Sequence, residues 1–479
     1  MNKNIRSAAL SGVLWRFLER IGSQGVTFVI SVILARMLDP AAYGTVALIT
    51  VFSTILNVFV DSGMGSALVQ KTDADDLDYS SLFYFNLAMC AVLYLGVWFA
   101  APMAAAIYNR PELIPLIRVS SLTLVISGIK NIQVAYVSKN LLFRRFFKAT
   151  MIGTVCGGAA GVAMAFGGFG VWALVAQGIV SNTVDTVVLW LTVEWRPKLM
   201  FSLRRLKGLF SYGWKLLASS LLNTVFSKIN DLTIGVLYSA QDLAFYSKGC
   251  SLPMMAVTAI NGSIDSVLFP VMSAAQSDKE TVKALTRRSI RLCSFVMWPV
   301  MMGAAACANP LIEVLLTEKW LPCVPYFVIY CIIYAFFPVN LANLNAIKAV
   351  GRSDLILKME IIKKIASLLI LICTMRISVM VMSYGFLLSS MLCQVINAWP
   401  NAKLLNYNHK EQLGDILPPM LLSVGMGIVV YLITYLPLNP VLMLLLQVPV
   451  GVAIYVAGAK LLRMDCFDYL LGILKGLRK

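Results

Sequence analysis

"SGVLWRFLERIGSQGVTFVISVILARMLD", residues 11–39, decides the fold. It is long enough to cross a membrane, since a spanning helix needs about 20 largely apolar residues. Yet Arg16, Glu19 and Arg20 sit in its first half, and each charge at a helix centre costs about 2.5–3.5 kcal/mol on insertion scales. On a helix Gly12, Arg16, Glu19 with Arg20, Ser23, Thr27 and Ser31 follow i, i+3/i+4 spacing and share one face, while Leu, Val, Ile and Phe take the others. Lipid does not solvate such a stripe, so it must look onto protein or water. Glu19 can pair with Arg16 one turn earlier, which leaves Arg20 as net positive charge. The charges interrupt the apolar run and no small-residue cleavage site follows it, so a retained first helix is expected rather than a cleaved signal.

The rest of the chain agrees with a membrane bundle. Of 479 residues, 59% are hydrophobic and only 13% charged, and the mean hydropathy is +0.80. Soluble domains carry about 25% charged residues. Apolar spans recur almost without pause from 11–36 to 440–462, about fourteen in all, which makes an all-α integral membrane protein. The eleventh and twelfth are divided only by "RIS" around Arg376. The net charge of +17 raises nucleic acid as a partner. The basic residues gather instead in alternate loops, "SKNLLFRRFFK", "RPKLMFSLRRLKG", "SDKETVKALTRRSIR" and "KAVGRSDLILK", and in the tail "LKGLRK". The intervening loops "NRPEL", "GGFG" and "PLNP" are short and poor in base. The positive-inside rule then places both termini in the cytoplasm and removes the need for nucleic acid.

Several chemistries are disfavoured. His409 is the only histidine, no Cys-x-x-Cys pair occurs among the ten cysteines, and no Gly-Lys dipeptide is present for a P-loop. No loop is long enough for a soluble catalytic domain. No cofactor, metal or enzymatic activity is expected.

The chain also reads as two weak repeats. "AAYGTVALI" follows the first helix and "LAFYSKGCSL" the seventh; "FVDSGMGSALVQ" closes the second and "SIDSVLFPVMSAAQ" the eighth. Tyr43 and Asp61 are 18 residues apart, Tyr246 and Asp265 19. Both repeats run with one topology, the parallel kind used by some transporters. The expected division is an N-terminal lobe over 1–194, an amphipathic linker helix over 195–211 on the inner leaflet, a C-terminal lobe over 212–405, and two further helices with a basic tail over 406–479.

"DSGMGSALVQK", "PLIRVSSLTLVISGIKNIQVAYVSKNLLFRRFFKAT", the Phe-Pro-x-x-Ser stretch at Phe269–Ser273 and "EKW" at Glu318–Trp320 resemble one family. It is the polysaccharide transporter (Wzx-type flippase) family of the multidrug/oligosaccharidyl-lipid/polysaccharide exporter superfamily, and the likeness is greatest to its colanic acid exporter branch. The resemblance implies a MATE-like fold of two six-helix lobes plus two C-terminal helices, working by alternating access in the bacterial inner membrane. It implies a polyprenyl-diphosphate-linked glycan as cargo, membrane lipid around it, and a glycan polymerase and glycosyltransferases as further partners. Related flippases of the murein branch carry arginines further along helix one. Here Gln24–Ile30 holds none, so their site does not transfer.

The candidate cavity residues are the intramembrane charges. They are Arg16, Glu19 and Arg20 on the first helix, Lys130 on the fourth, and Lys228 with Asp231 on the seventh. On the seventh helix Ser219, Asn223, Ser227 and Asn230 extend the stripe. Arginine and lysine suit a diphosphate, the first by bidentate donation and the second as a point charge. Gln177, Ser181 and Asp185 repeat every four residues on the sixth helix, and Asp185 is the candidate for proton or cation coupling. Asp61 and Asp265 read as structural. Gly153, Gly157 and Gly161 read as a close helix contact. Two other functions remain open on the residues alone, a drug/cation antiporter of the same superfamily and a membrane polysaccharide polymerase. The first fits poorly with a basic cavity and the second with the lack of a large outer loop.

Overall fold

The computed structural model describes residues 22–61, 64–71, 73–274 and 278–476. Among them there is no β-strand. The long helices, in chain order, are α1 (Gly22–Met37), α2 (in two described stretches, Pro40–Asp61 and Met64–Gln70), α3 (Asp76–Ile107), α4 (Leu113–Lys139), α5 (Phe143–Phe166), α6 (Val171–Thr192), α7 (Leu203–Leu237), α8 (Ala240–Ala274), α9 (Lys279–Ala306), α10 (Glu318–Ala349), α11 (Ser353–Thr374), α12 (Val379–Leu404), α13 (His409–Tyr435) and α14 (Pro440–Leu461). A short α15 (Asp465–Gly476) follows. The fourteen expected spans overlap α1–α14 in order, the first of them only over its described residues from Gly22.

Among the described residues ten of these helices are long and apolar enough to cross a membrane, and α1 is a shorter apolar helix over Gly22–Met37. The other three, α7, α8 and α11, are diluted by polar residues. Lys358, Glu360, Lys363 and Lys364 crowd the first half of α11, and α7 carries Lys215, Lys228 and Asp231. Helices that polar are stable in lipid only when they turn their charges to protein or water.

Helix starts are set by local chemistry. Asp75 caps α3 and forms a capping box with Asp78. The Asp78 N–H is the main reason the Asp75 carboxyl lies below the usual carboxylate range. Ser202 caps α7, Asp278 caps α9 through the Glu280 and Thr281 amides, and Ser378 caps α12, which separates it cleanly from α11. Asn439 caps α14 with Pro440 in its first turn.

The internal repeat is visible in these starts. Pro40 pairs with Ala240, Asp76 with Lys279, Leu113 with Glu318, Phe143 with Ser353 and Val171 with Val379, a separation that stays between 200 and 210 residues. By contacts the chain forms two compact units, residues 1–244 and 245–479. In the first, α7 packs on α2 and α3, and α5 packs against α6 more extensively than any other pair. In the second, α13 packs along α9, and α14 on α13.

Residues 195–211 differ from the expected linker helix. Residues 193–202 have no regular structure, and the helix begins only at Leu203 and runs on unbroken as α7. The reason lies in side-chain bonds to α3. Ser80 Oγ accepts from the Lys198 N–H at 3.0 Å, Ser81 Oγ accepts from the Ser202 N–H at 2.9 Å, and the Trp195 indole donates to Asp76 at 3.1 Å. These bonds compete with intrahelical ones, so the segment follows α3 rather than coiling.

Gly153, Gly157 and Gly161 do form a close helix contact. A Cβ at Gly157 would lie 2.6 Å from the Gln177 carbonyl oxygen and 2.6 Å from Ser181 Cβ, and one at Gly153 would lie 2.7 Å from the Ser181 carbonyl oxygen. Gly157→Leu is therefore expected to destabilise the first unit by about 1–3 kcal/mol, as overpacking does. Gly178→Leu serves as the control, because nothing lies within 4 Å of a Cβ there. Thermal unfolding of the purified chain in detergent compares them; equal midpoints would mean that α5 and α6 do not meet on this face.

Candidate functional site

Arg16, Glu19 and Arg20 lie outside the described residues. Lys130, Asp185, Lys228 and Asp231 all lie in the first unit. The Asp265 side chain is likewise outside the described residues, while Asp61 ends a helical run at the Val60 carbonyl that Asn131 Nδ2 holds at 2.6 Å.

Lys130 and Asp185, 55 residues apart, are brought together. Lys130 Nζ on α4 donates to Asp185 Oδ2 on α6 at 2.9 Å and to Asn182 Oδ1 at 3.4 Å. The side chains are 20% and 13% exposed, so this is a largely buried ion pair. Asp185 Oδ1 is buried and accepts no hydrogen bond among the described residues. The Gln177–Ser181–Asp185 face is the one that receives the α5 glycines, so most of it is spent on packing and only the Asp185 end meets another charge. Trp190 Nε1 donates to the Ile129 carbonyl at 3.4 Å and ties α6 to α4 beside the pair.

Lys228 and Asp231 pair within α7, Nζ to Oδ2 at 2.9 Å, with 32% and 19% exposure. Among the described residues no contact joins this pair to Lys130 and Asp185. Each lysine thus has its own carboxylate, and the four side chains together carry no net charge. The α7 stripe itself is open: Ser219, Asn223 and Ser227 are exposed. A polar face left accessible in a membrane helix needs water beside it, because hydrocarbon supplies no hydrogen bonds.

Three features were not singled out from the sequence. Lys248 on α8 is buried, 5.7 Å from the Trp320 ring of the "EKW" stretch. Its signal was present, since it stands two residues after the repeat tyrosine Tyr246. In the second unit Asp415 is buried among Arg287, Arg291 and Tyr407. The third is an apolar hollow of about 520 Å³ between α9, α13 and α14, lined by residues such as Phe295, Val300, Val430, Leu444, Val452 and Tyr455. Its polar edge is occupied, as Tyr455 donates to the Phe295 carbonyl at 2.8 Å and Gln447 Nε2 to the Val430 carbonyl at 3.0 Å. Among the described residues no group of three or more His, Cys, Asp or Glu is placed to hold a metal.

The model of a family described as "Polysaccharide biosynthesis protein" matches residues 33–325. The teichuronic acid biosynthesis protein TuaB of Bacillus subtilis (strain 168) is 23% identical over 393 residues, 80% of this chain and 79% of that one. The succinoglycan biosynthesis transport protein ExoT of Rhizobium meliloti (strain 1021) is 27% identical over 306 residues, 64% of this chain and 62% of that one. Among solved structures, the lipid II flippase MurJ in its inward closed conformation matches with a TM-score of 0.75 over 95% of this chain and 99% of that one. At 13% identity that likeness is one of fold.

Proposed function

Because the chain belongs to the polysaccharide biosynthesis protein family, we propose that it is a flippase for a polyprenyl-diphosphate-linked oligosaccharide, the repeat unit of an O-antigen or exopolysaccharide. It is a multi-pass membrane protein and not an enzyme. In this reading it sits in the bacterial inner membrane with both termini cytoplasmic, and it carries its cargo from the cytoplasmic to the outer leaflet by alternating access. The glycosyltransferases that build the cargo and the polymerase that consumes it are its functional neighbours.

The observation that carries the proposal is the open polar face of α7. The cargo has three parts with three solvation needs. Sugar needs hydrogen bonds, and the Ser219, Asn223 and Ser227 stripe offers them. Diphosphate needs cations, and Arg20 with Arg16 supplies the net charge that Lys130 and Lys228 spend on their own carboxylates. A prenyl chain needs an apolar surface, which the surrounding lipid provides. No bond is made or broken. Outward movement of an anion is already downhill by about 2.3 kcal/mol per charge per 100 mV when it crosses the whole field.

The test is export in a strain lacking the native gene, scored by lipid-linked oligosaccharide accumulating in the inner leaflet and normalised to membrane protein level. Arg20→Ala should lower export by about 10- to 100-fold, the worth of a charged hydrogen bond of about 1.5–3 kcal/mol. Arg20→Lys should retain part of it, since charge survives while the fork is lost. Glu19→Gln should not mimic Arg20→Ala, because it raises the positive charge. Full export by Arg20→Ala would remove Arg20 from the cargo path, and no accumulation in the deletion strain would remove the proposal itself.

A further inference from the structure

A second candidate site lies away from the polar faces. At the end of the first unit where α2 leaves and α7 begins there is an open hollow of about 850 Å³. Its polar lining is Gln70, Lys71, Asp73, Ser202, Arg204 and Arg205, and Gly208 forms part of its wall. Lys71 Nζ reaches Asp78 at 2.5 Å, and Arg205 reaches Asp75 at 3.3 Å and Asp78 at 3.8 Å. Asp78 is fully buried behind the hollow and so fixes the two cations rather than facing the space. Asp73 is exposed and solvated at the rim. Arg204 is exposed and makes no ion pair or hydrogen bond among the described residues.

The surroundings say what depth this hollow occupies. Leu199, Phe201, Leu203 and Phe210 beside it are 96%, 52%, 73% and 51% exposed. Leu203, Lys207, Phe210 and Trp214 follow i, i+4, i+7 and i+11 along α7 and form one exposed stripe of three apolar side chains around one lysine. That mixture suits the boundary between acyl chains and headgroups, where apolar bodies enter and the amine reaches outward. The irregular segment before α7, tied down to Ser80 and Ser81, brings Leu199 and Phe201 to the same boundary.

We infer that this hollow binds the phosphate head of a membrane lipid, held by Arg204, Lys71 and Arg205 with its chains lying over Leu199, Leu203 and Phe210. The inference is independent of the cargo assignment, because the hollow shares no residue with the α1, α4 or α7 stripes. Phosphate is the chemistry its donors fit: a guanidinium fork, a point charge and the Ser202 and Gln70 side chains converge on one space. A headgroup phosphate and the cargo's own diphosphate share that chemistry, and titration tells them apart.

Native mass spectrometry of the full-length protein, titrated separately with phosphatidylglycerol, polyprenyl diphosphate and inorganic phosphate, reads the bound fraction. Arg204→Ala should weaken lipid binding about fivefold and Arg204→Glu about thirtyfold, from about 1 kcal/mol per basic residue near an anionic surface. Arg204→Lys should keep part of the binding, since charge survives while the fork is lost. Gly208→Leu fills the hollow without changing charge, and nothing lies within 4 Å of its Cβ, so the fold is spared while binding falls. Loss with phosphatidylglycerol supports the inference; a loss confined to polyprenyl diphosphate overturns it, because the occupant would then be cargo rather than a membrane lipid. Binding of inorganic phosphate alone, or equal lipid binding by Gly208→Leu and the parent, would overturn the inference. So would an equal loss on Lys410→Ala, an exposed charge remote in sequence from this hollow.

Discussion

Lys130→Met is expected to destabilise the chain by about 3–5 kcal/mol, and Lys130→Met with Asp185→Leu by far less. The single change leaves the Asp185 carboxylate largely buried, with one oxygen already without a donor among the described residues and the other stripped of its ion-pair partner. The double change removes both charges and places apolar groups against α5, where Asp185 Cβ lies 2.9 Å from the position a Cβ on Gly153 would take. The pair therefore behaves as a unit, and the recovery in the double variant is the measure of it. Thermal unfolding in detergent reads stability, and export in the deletion strain reads function. The same pair bears on coupling. In the proposed cycle Asp185 takes up a proton or cation, and Lys130 is the built-in cation that must first let go. Asp185→Asn should then hold substrate but lose its dependence on an ion gradient. If Lys130→Met keeps a normal midpoint, the pair is not structural; if Asp185→Asn exports normally with normal ion dependence, it is not the coupling group either.

The sequence reached the class of fold because its signal is local. Apolar spans, basic loops and capping residues are each written within a few residues, and α1–α14 follow them. It reached the repeat for the same reason, through Tyr43 and Tyr246. It did not reach partners that are distant in the chain. Lys130 and Asp185 were each visible as intramembrane charges, yet nothing in a single sequence pairs positions 55 residues apart. The Gln177–Ser181–Asp185 stripe reads as one helix face carrying a candidate coupling acid, and the structure sets the α5 glycines against that face. Both readings use the same periodicity, and only the packed neighbour separates them. The linker failed differently. Leu and Phe alternating with Arg and Lys over 195–211 is a fair amphipathic pattern, but Ser80, Ser81 and Asp76 on α3 capture its first half.

Asp415→Ala should lower stability by about 3–5 kcal/mol, while Arg291→Ala should lower it by much less. Asp415, 2% exposed at the start of α13, accepts from Arg287 Nε at 2.7 Å and Nη2 at 3.1 Å, from Arg291 Nε at 2.6 Å and from the Tyr407 hydroxyl at 2.9 Å. Burial, and then the facing carboxylate, raise Tyr407 well above the usual phenol range, so it remains a donor at any physiological pH. One acid thus satisfies three donor groups and fixes the α12–α13 connection against α9. Around it Asn343 Nδ2 donates to Gln412 Oε1 at 3.0 Å and Asn401 Nδ2 to Asn343 Oδ1 at 2.7 Å, extending the lock into α10 and α12. The two arginines are 42% and 37% exposed, so each can recruit water when its partner is lost, but Asp415 keeps Arg287 and Tyr407 when Arg291 goes. That asymmetry is the point of the experiment, because a surface charge cluster would respond equally to either change. Because α13 and α14 also wall the apolar hollow, loosening this lock should disturb that hollow as well. Limited proteolysis of the purified chain should then cut Asp415→Ala first near residues 405–408. Equal unfolding midpoints for Asp415→Ala and Arg291→Ala, with no new cleavage there, would mean that α13 is held to α9 by apolar packing alone.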